Sequence, residues 1–324
     1  MTQVLGIMWI IQMRLSPKNE NIYLCEIELT NKCNYRCSYC DPHSHLGSNV
    51  LDYEDILWYI DKLIENDNTK TYNIRLYGGE PIFYPYIDIL LEELYNRGVT
   101  QHFVTNASRP VKWWIKAQQF LSGCIISVHM QYAKIQHIIN VCKTFDTDKP
   151  VYVQALVDPL NWNVSIDNAT KMHNELIDFK NVMVIRKVVD SDRNDDYEGV
   201  YTHEQKDFLL NWDKHFPDNK DWNLDNNIVA GPLYWKKNGI EKEYIRAEAK
   251  LTGKDNFFGW LCNAGIDGTI IDSYGEVYKS ACTKNESSIG NIKKRKVNTP
   301  VKGIICDKNV CNCLTDLQFR KFLI

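Results

Sequence analysis

The sequence lacks the features that would assign the protein to a membrane or to a polyanionic partner. Its 38 basic and 41 acidic residues leave a net charge of −3, which gives no overall field for nucleic acid. The apolar segment 1–13 has no basic leading region and no small-residue cleavage site. It is also shorter than the roughly 20 residues of a membrane span. We therefore predict neither a nucleic-acid partner nor a membrane.

The chain also lacks the even set of cysteines that a disulfide framework needs, because it has 11 cysteines and no secretory signal. These facts favour metal binding in a reducing compartment, and we expect a cytoplasmic protein. Eight cysteines form two groups, Cys33, Cys37 and Cys40, and Cys262, Cys282, Cys306, Cys311 and Cys313. The other three, Cys25, Cys124 and Cys142, lie in apolar patterns and are expected in the core.

The first group has the spacing C-x3-C-x2-C, which offers three thiolates and no fourth. A four-iron cluster held by three thiolates keeps one iron open for a further ligand. The group follows an alternating apolar segment, 22–30, which predicts a strand that delivers the loop. A structural zinc site completed by His43 or His45 is the alternative.

This cysteine spacing resembles the signature of the radical S-adenosylmethionine (SAM) enzymes, whose cluster loop follows the first barrel strand. A second similarity is the turn Gly78-Gly79-Glu80-Pro81, which follows a predicted strand and resembles the family's GGE motif. Glycines at such a turn allow the backbone to approach a ligand closely. The resemblance implies that this turn and the Glu80 carboxylate hold the methionine ammonium of SAM. Together the two motifs argue against zinc.

Strands and helices alternate along the first two thirds of the chain. Further strands are predicted at 72–77, 100–105, 124–129, 150–157 and 182–189, and helices at 52–64, 84–97, 111–121, 132–145, 166–178 and 203–215. Six strand–helix units predict an α/β protein with a parallel sheet, which could close as a barrel or open as a doubly wound sheet. The count resembles the partial (β/α)6 TIM-like barrel of the radical SAM family.

Ligands of parallel α/β folds bind where the strands end. The resemblance implies SAM contacts at three such strand-end residues, Asn106, Ser127 and His129. It also implies that Tyr39, the aromatic residue before the third cysteine, packs near the adenine, with shielding of the cluster as the alternative. Asn106 fits a turn-forming role equally well. Three further polar residues on later strands, Gln154, Asp158 and Arg186, could face the barrel or have structural roles.

The second cysteine group surrounds a predicted hairpin at 268–278, which separates Cys262 from Cys282. This layout resembles the twitch domain, a shorter relative of the SPASM extension that binds an auxiliary iron-sulfur cluster. One such cluster uses four of the five thiolates, so we expect one auxiliary cluster and one spare cysteine. Cys262 and Cys282 are the expected ligands, with two or more from the set Cys306, Cys311 and Cys313. A zinc ribbon is the alternative.

The resemblance implies four parts, an N-terminal extension at 1–20, a radical SAM partial barrel at 21–215, a connector at 216–255 and a small twitch-like α+β iron-sulfur domain at 256–324. It implies an enzyme with a SAM-binding [4Fe-4S] cluster, an auxiliary [4Fe-4S] cluster that relays electrons, and SAM. A flavodoxin or ferredoxin is the expected reductant.

The substrate is expected to be a small polar molecule that is oxidised or modified, because only about twenty residues precede the first predicted strand and leave no peptide-recognition module. The alternative is a peptide, as for enzymes that mature ribosomally made peptides. An iron-sulfur electron carrier is the non-enzyme alternative, although a carrier would not need six strand–helix units.

Overall fold

A computed structural model describes residues 13–17, 19–189, 199–217, 233–244, 249, 251–284, 288–311 and 314–324. The strands are β1 (Met13–Pro17), β2 (Ile22–Glu28), β3 (Thr30–Lys32), β4 (Gly47–Val50), β5 (Thr71–Tyr77), β6 (Thr100–Thr105), β7 (Gly123–Val128), β8 (Val151–Val157), β9 (Val182–Val188), β10 (Leu233–Lys237), β11 (Ile240–Tyr244), β12 (Leu261–Cys262), β13 (Gly268–Ile271), β14 (Glu276–Tyr278), β15 (Gly290–Asn291), β16 (Lys296–Val297), β17 (Ile304–Ile305) and β18 (Lys321–Leu323). The helices are α1 (His43–Leu46), α2 (Tyr53–Asn66), α3 (Ile87–Asn96), α4 (Val111–Ala117), α5 (Ile135–Cys142), α6 (Trp162–Leu176), α7 (His203–Leu210), α8 (Trp212–His215) and α9 (Leu314–Gln318).

The six predicted strands form one parallel array, in which β2, β5, β6, β7, β8 and β9 lie side by side in chain order. A doubly wound sheet would reverse its strand order part of the way along. The uninterrupted order is that of a barrel, so the partial TIM-like α/β fold predicted from the sequence is confirmed. The carboxyl ends of all six strands consequently meet at one edge.

The alternation of side chains along these strands explains the helical layer outside them. Cys25 and Ile27 of β2 belong to the same buried cluster as Ile56 and Ile60 of α2. Helix α2 begins after Asp52, whose carboxylate accepts from the backbone N–H of Glu54 at 2.9 Å. The three cysteines expected in the core, Cys25, Cys124 and Cys142, are fully buried.

The barrel sheet continues beyond β2 into the C-terminal region. Strand β13 pairs with β2 in parallel, and β14, β15 and β16 follow it in the same sheet. The hydroxyls of Tyr23 and Tyr59 both lie within hydrogen-bonding distance of Thr269 Oγ1, at 3.2 and 3.0 Å. The predicted hairpin at 268–278 is therefore present as β13 and β14, and it packs on the first barrel strand.

A second sheet has the strand order β11-β10-β1-β18-β12-β17. It combines a strand of the predicted extension, a hairpin of the predicted connector and three strands of the predicted iron-sulfur domain. Much of the predicted connector lies outside the described residues, and the domain boundaries stay predictions. No helix among the described residues is both long and apolar enough to cross a membrane.

Candidate functional site

The first three cysteines lie in a loop, residues 33–46, which we call the cysteine loop. It is bounded by β3 and β4, which pair at Thr30 and Val50. Within it, the backbone N–H of Tyr35 donates to Cys33 Sγ at 3.3 Å, and that of Cys40 donates to the Cys37 carbonyl at 3.0 Å. These bonds fold the loop back on itself at the carboxyl end of the first barrel strand.

The three thiols of this loop influence one another electrostatically. Burial raises the pKa of Cys33 to about 11 and that of Cys37 to about 12, and the neighbouring charge of Cys40 adds to both shifts. Metal ligation requires thiolates, so a metal that binds here must displace the protons.

The Gly-Gly-Glu turn is attached directly to the strand that leads into the cysteine loop. The N–H of Gly79 donates to the Thr30 carbonyl at 2.8 Å, and the N–H of Glu80 donates to the Lys32 carbonyl at 2.9 Å. A Cβ on Gly78 would lie 2.2 Å from the Thr30 oxygen, and one on Gly79 would lie 2.4 Å from the Lys32 oxygen. These glycines therefore allow the turn to approach the backbone of β3 closely. The turn and the cysteine loop form one structural unit.

Glu80 is buried, with 1% of its surface exposed, and both its carboxylate oxygens accept hydrogen bonds from the protein. Oε1 accepts from the Thr105 hydroxyl at 2.5 Å and from the N–H of Ile82 at 3.3 Å, and Oε2 accepts from the N–H of Asn106 at 2.6 Å. Burial raises the pKa of Glu80 to about 7. The carboxylate thus joins the turn to the end of β6, and contact with SAM would require it to exchange one of these partners. Pro81 is buried and begins the 3-10 turn Pro81–Phe83.

Asn106, at the end of β6, joins that strand to the cysteine loop. Its side-chain amide donates to Asn34 Oδ1 at 2.8 Å, and its Oδ1 accepts from the N–H of Ser108 at 3.1 Å. These contacts give Asn106 a structural role, and its predicted contact with SAM stays a prediction. Sequence reasoning missed Asn34, although its place directly after Cys33 was a signal.

The segment after β7 packs on the cysteine loop. The rings of Tyr39 and His129 stack with a centroid distance of 6.0 Å, and the Tyr39 hydroxyl lies 3.3 Å from His129 Nδ1. Gln131 accepts from the N–H of Ser38 at 3.0 Å and donates to its hydroxyl at 2.6 Å. The Tyr132 hydroxyl donates to the Arg36 carbonyl at 2.9 Å. Tyr39 and His129 are thus brought together, and Gln131 and Tyr132 are further contacts that the sequence did not reveal.

Ser127 offers an unused hydrogen-bonding group at the end of β7. It is 4% exposed, and its hydroxyl has no hydrogen-bond partner among the described residues. Gln154 lies opposite Ser127 in the register of β7 and β8 and is also buried. Buried hydroxyls are nearly always satisfied in folded proteins, so an unpaired one at a strand end suits a ligand contact.

The two other polar residues singled out on the later strands have structural partners. Asp158 accepts from the N–H of Leu160 at 3.0 Å and from the Asn161 amide at 2.8 Å, and so caps the 3-10 turn Pro159–Asn161. Arg186 lies 3.4 Å from Asp213. These contacts favour the structural roles that the sequence left open for both residues.

A polar cluster between the two cysteine groups was not predicted. Glu28, buried at the end of β2, has the N–H of Ser273, the imidazole of His43 and the ammonium of Lys284 at 3.4, 3.6 and 4.0 Å. The Tyr77 hydroxyl accepts from Lys284 at 3.4 Å. Burial raises the pKa of Glu28. His43 belongs to the cysteine loop and Lys284 follows Cys282 by two residues, so this cluster links the two regions.

Four cysteines of the second group converge, and we call them the C-terminal thiols: Cys262, Cys282, Cys306 and Cys311. The backbone N–H of Cys306 donates to the Trp260 carbonyl at 2.8 Å, and that of Cys311 donates to the Asp255 carbonyl at 2.9 Å. Burial raises the pKa of Cys311 to about 12, and the charges of Asp316, Cys262 and Cys282 add to that shift. Cys313 lies outside the described residues.

Two charged side chains lie beside the C-terminal thiols. The Asp316 carboxylate accepts from the N–H groups of Ala281 and Cys282 at 3.0 and 3.2 Å, and burial raises its pKa to about 6. Lys321 is fully buried. Burial lowers the pKa of Lys321, but the negative charges of neighbouring groups, led by Cys262, outweigh burial and raise it overall.

The donor sets fit iron-sulfur clusters in number and type. The ten described cysteines are free thiols, with three in the cysteine loop and four in the C-terminal group. Within the described ranges, no three His, Cys, Asp or Glu side chains form a preassembled site for a single metal ion. A four-iron cluster separates its cysteine sulfurs more widely than one ion does, so this finding concerns single ions.

The profile of the Radical SAM superfamily matches residues 27–198, more than half of the chain. The chain therefore belongs to the radical SAM superfamily. Its members are enzymes, and membership implies a [4Fe-4S] cluster and SAM as cofactors. The matched range contains both the cysteine loop and the Gly-Gly-Glu turn.

Among characterised relatives, the chain is 25% identical over 299 residues to the radical SAM cyclopropyl synthase TigE of Paramaledivibacter caminithermalis, covering 84% of this chain and 60% of that protein. It is 31% identical over 85 residues to the GTP 3',8-cyclase of Hydrogenovibrio crunogenus, and this alignment covers 25% of each protein. The chain thus spans less than two thirds of these relatives.

Solved structures support the fold. The chain is similar to anSMEcpe with bound AdoMet, with a TM-score of 0.54, 14% identity and coverage of 84% of this chain and 78% of that one. It is similar to Streptococcus suis SuiB bound to the precursor peptide SuiA, with a TM-score of 0.55, 13% identity and coverage of 85% and 63%. At these identities the similarity concerns the fold alone.

Proposed function

We propose that Cys33, Cys37 and Cys40 hold the SAM-binding [4Fe-4S] cluster of this radical SAM enzyme. The attachment of the Gly-Gly-Glu turn to the strand before Cys33 is the observation that carries this proposal, because it brings two motifs distant in sequence to one strand edge. The cluster that these cysteines would hold would supply the electron for reductive cleavage of SAM to methionine and a 5'-deoxyadenosyl radical, the species that takes a hydrogen from the substrate, with a flavodoxin or ferredoxin as the source of the electron.

The residues around this loop orient SAM. The unpaired hydroxyl of Ser127 gives SAM a hydrogen bond, and the stacked rings of Tyr39 and His129 form an aromatic wall beside the cysteine loop. The turn at Gly78 and Gly79 would hold the methionine end of SAM, as the resemblance to the family's GGE motif implies. Glu80 ties that turn to the end of β6 through its hydrogen bonds to Thr105 and Asn106. It would therefore affect SAM binding mainly by holding the turn in place.

The C-terminal thiols hold one auxiliary [4Fe-4S] cluster in a twitch-like domain at 256–324. The four thiols lie close enough to affect one another's pKa, which supports this assignment because one fully ligated cluster takes four thiolates. The polar cluster around Glu28 lies between this site and the cysteine loop. It supports an auxiliary cluster that relays electrons from a polar substrate bound between the two regions.

A small polar molecule is the substrate that this polar cluster favours, and the reaction is an oxidation or another radical modification. A peptide is the second candidate, because the SuiB structure contains a precursor peptide. That similarity concerns the fold alone. The proposal of a peptide substrate therefore depends on the fold, and the proposal of a small molecule depends on the polar cluster around Glu28.

The first test is SAM cleavage by the protein reconstituted with iron and sulfide under anaerobic conditions. With dithionite and SAM, the wild type should release 5'-deoxyadenosine and the Cys37→Ala variant should not. Cys142→Ala is the matched control, because Cys142 is buried at the end of helix α5 and belongs to neither cysteine group, so this variant should keep its activity. Equal product from Cys37→Ala would overturn the assignment, and reduction without any SAM cleavage would favour an electron carrier.

The second test counts metal. The wild type should contain about eight irons, and a variant without Cys33, Cys37 and Cys40 should contain about four, because each cube contributes four. Zinc without iron in the triple variant would show a structural zinc ribbon and end the electron-relay proposal, whatever the outcome for SAM.

A further inference from the structure

A buried lysine lies beside the C-terminal thiols. Lys321 of β18 is 1% exposed and stands directly opposite Cys262 of β12 in the antiparallel register. Directly opposed residues on neighbouring antiparallel strands project from the same face, with Cβ atoms about 5 Å apart. The register of the second sheet therefore fixes an ammonium group next to this thiol.

The groups that hydrogen-bond to Lys321 or stack on it are neutral. Its ammonium donates to the carbonyl oxygens of Asp316 and Phe319, the latter at 3.0 Å, and it lies 5.3 Å from the centre of the Phe257 ring. None of the ion pairs between described residues includes Lys321. The nearby carboxylate of Asp316 is engaged by the N–H groups of Ala281 and Cys282.

A buried ammonium that has only carbonyl oxygens and a ring as partners is costly, because burial removes its hydration. Neutral thiols do not offset this cost: the charges of Cys262 and Cys311 act on Lys321 only where those thiols are ionised, and the Asp316 carboxylate contributes less than either. A metal cluster held by four thiolates does, since it carries net negative charge at the position that Lys321 faces. The lysine thus points to an anionic occupant among the C-terminal thiols, on grounds independent of cysteine spacing.

We propose that Lys321 is the fixed counter-charge of the auxiliary cluster and raises its reduction potential. The inference rests on the proposed auxiliary cluster. One-electron reduction adds negative charge to the cluster, and a cation held nearby in a low-dielectric interior favours the reduced form. Lys321 would then make the cluster a better acceptor of an electron from a substrate radical.

The experiment uses the variant without Cys33, Cys37 and Cys40, so that only the auxiliary cluster contributes a signal. In this background the reduction potential is measured by dithionite titration followed by electron paramagnetic resonance. Lys321→Met should make reduction at least about tenfold less favourable, which corresponds to about 59 mV for a one-electron couple. Lys321→Arg keeps the charge and should stay close to the parent potential.

The matched control is Lys302→Met, because Lys302 is exposed and precedes Cys306 by only four residues. Salt and water screen an exposed charge, so its removal should move the potential much less. If Lys321→Met does not fold, Lys321→Gln replaces it, since an amide can still donate to the carbonyl oxygens without carrying charge.

The outcomes separate the two proposals. The role of Lys321 would be overturned if parent, Lys321→Met and Lys321→Gln all bound about four irons per chain and had the same reduction potential. The auxiliary cluster would then stand without it. A parent variant that binds zinc or no metal would overturn both. The inference is supported if the reduction potential falls in Lys321→Met and Lys321→Gln but not in Lys321→Arg or Lys302→Met. A purely structural role of Lys321 would change stability and not the potential.

Discussion

The hydroxyl of Thr105 donates to the carboxylate of Glu80 at 2.5 Å and ties the ends of β5 and β6 together inside the protein. The N–H of Asn106 reinforces this bond from the same strand end. An acid at such a position is expensive to ionise. The junction that supports the Gly-Gly-Glu turn should therefore respond to pH in the neutral range.

Folding stability should show this response. The pKa of Glu80 rises from its ordinary value of 4.5 to about 7, so the folded state binds more protons than the unfolded state between these values. The stabilisation is fully present below pH 4.5 and is lost as pH rises through 7, a loss of about 3 kcal/mol. We expect the free energy of unfolding of wild type minus that of Glu80→Gln to fall by about this amount between pH 5 and pH 8. Equal differences in urea denaturation at both pH values would contradict the prediction.

Gly79→Ala should disrupt the site through sterics. Its new Cβ would lie 2.4 Å from the Lys32 carbonyl oxygen, so the turn must move away from the cysteine loop, at a cost of about 1–3 kcal/mol. Iron bound at the cysteine loop and 5'-deoxyadenosine production should both fall. Gly98→Ala is the control, because its Cβ meets nothing within 4 Å and its cost of about 1–2 kcal/mol comes from a positive φ far from the turn. Equal iron loss in both variants would show a general effect of stability.

Ser127→Ala should separate stability from SAM binding. Its buried hydroxyl has no protein partner among the described residues, so its removal should leave the protein without cofactors as stable as before or more so by about 1–3 kcal/mol. SAM should bind about tenfold more weakly, for the loss of one hydrogen bond. Ser165→Ala is the control: its hydroxyl accepts from the N–H of Asp158 at 3.2 Å, so its loss should lower stability and leave SAM affinity unchanged. Unchanged SAM affinity in Ser127→Ala would remove Ser127 from the site.

Gln131→Leu should loosen the cysteine loop. This side chain makes two hydrogen bonds to Ser38, each worth about 0.5–1.5 kcal/mol. Iron should leave the first site faster in the presence of a chelator, while stability outside the loop should be unchanged. Gln136→Leu, in helix α5, is the matched control because Gln136 is exposed and, within the described part of the chain, hydrogen-bonds to Asn140 and Glu175 and not to the cysteine loop. The prediction fails if both variants lose iron at the same rate.

The sequence predicted what depends on local periodicity and spacing. All six barrel strands lie within one or two residues of their predicted bounds, because alternation of apolar residues reports the two faces of a strand. It did not predict that β13 pairs with β2, or that Lys321 faces Cys262, since such pairings join distant segments. The engagement of Glu80 by Thr105 was hidden for the same reason, because a motif names a residue but not its neighbours in space.

The pairing of β1 with β18 sets an order on how the chain can assemble. Met13 lies opposite Leu323, so this strand pair closes a loop of almost the whole described chain. The barrel strands pair with their neighbours in sequence and can form while the rest of the chain is still being synthesised. The second sheet can close only after β18 has been synthesised, because β1 pairs with that strand. The C-terminal thiols would thus receive iron only after β18 has paired with β12 and placed Lys321 opposite Cys262.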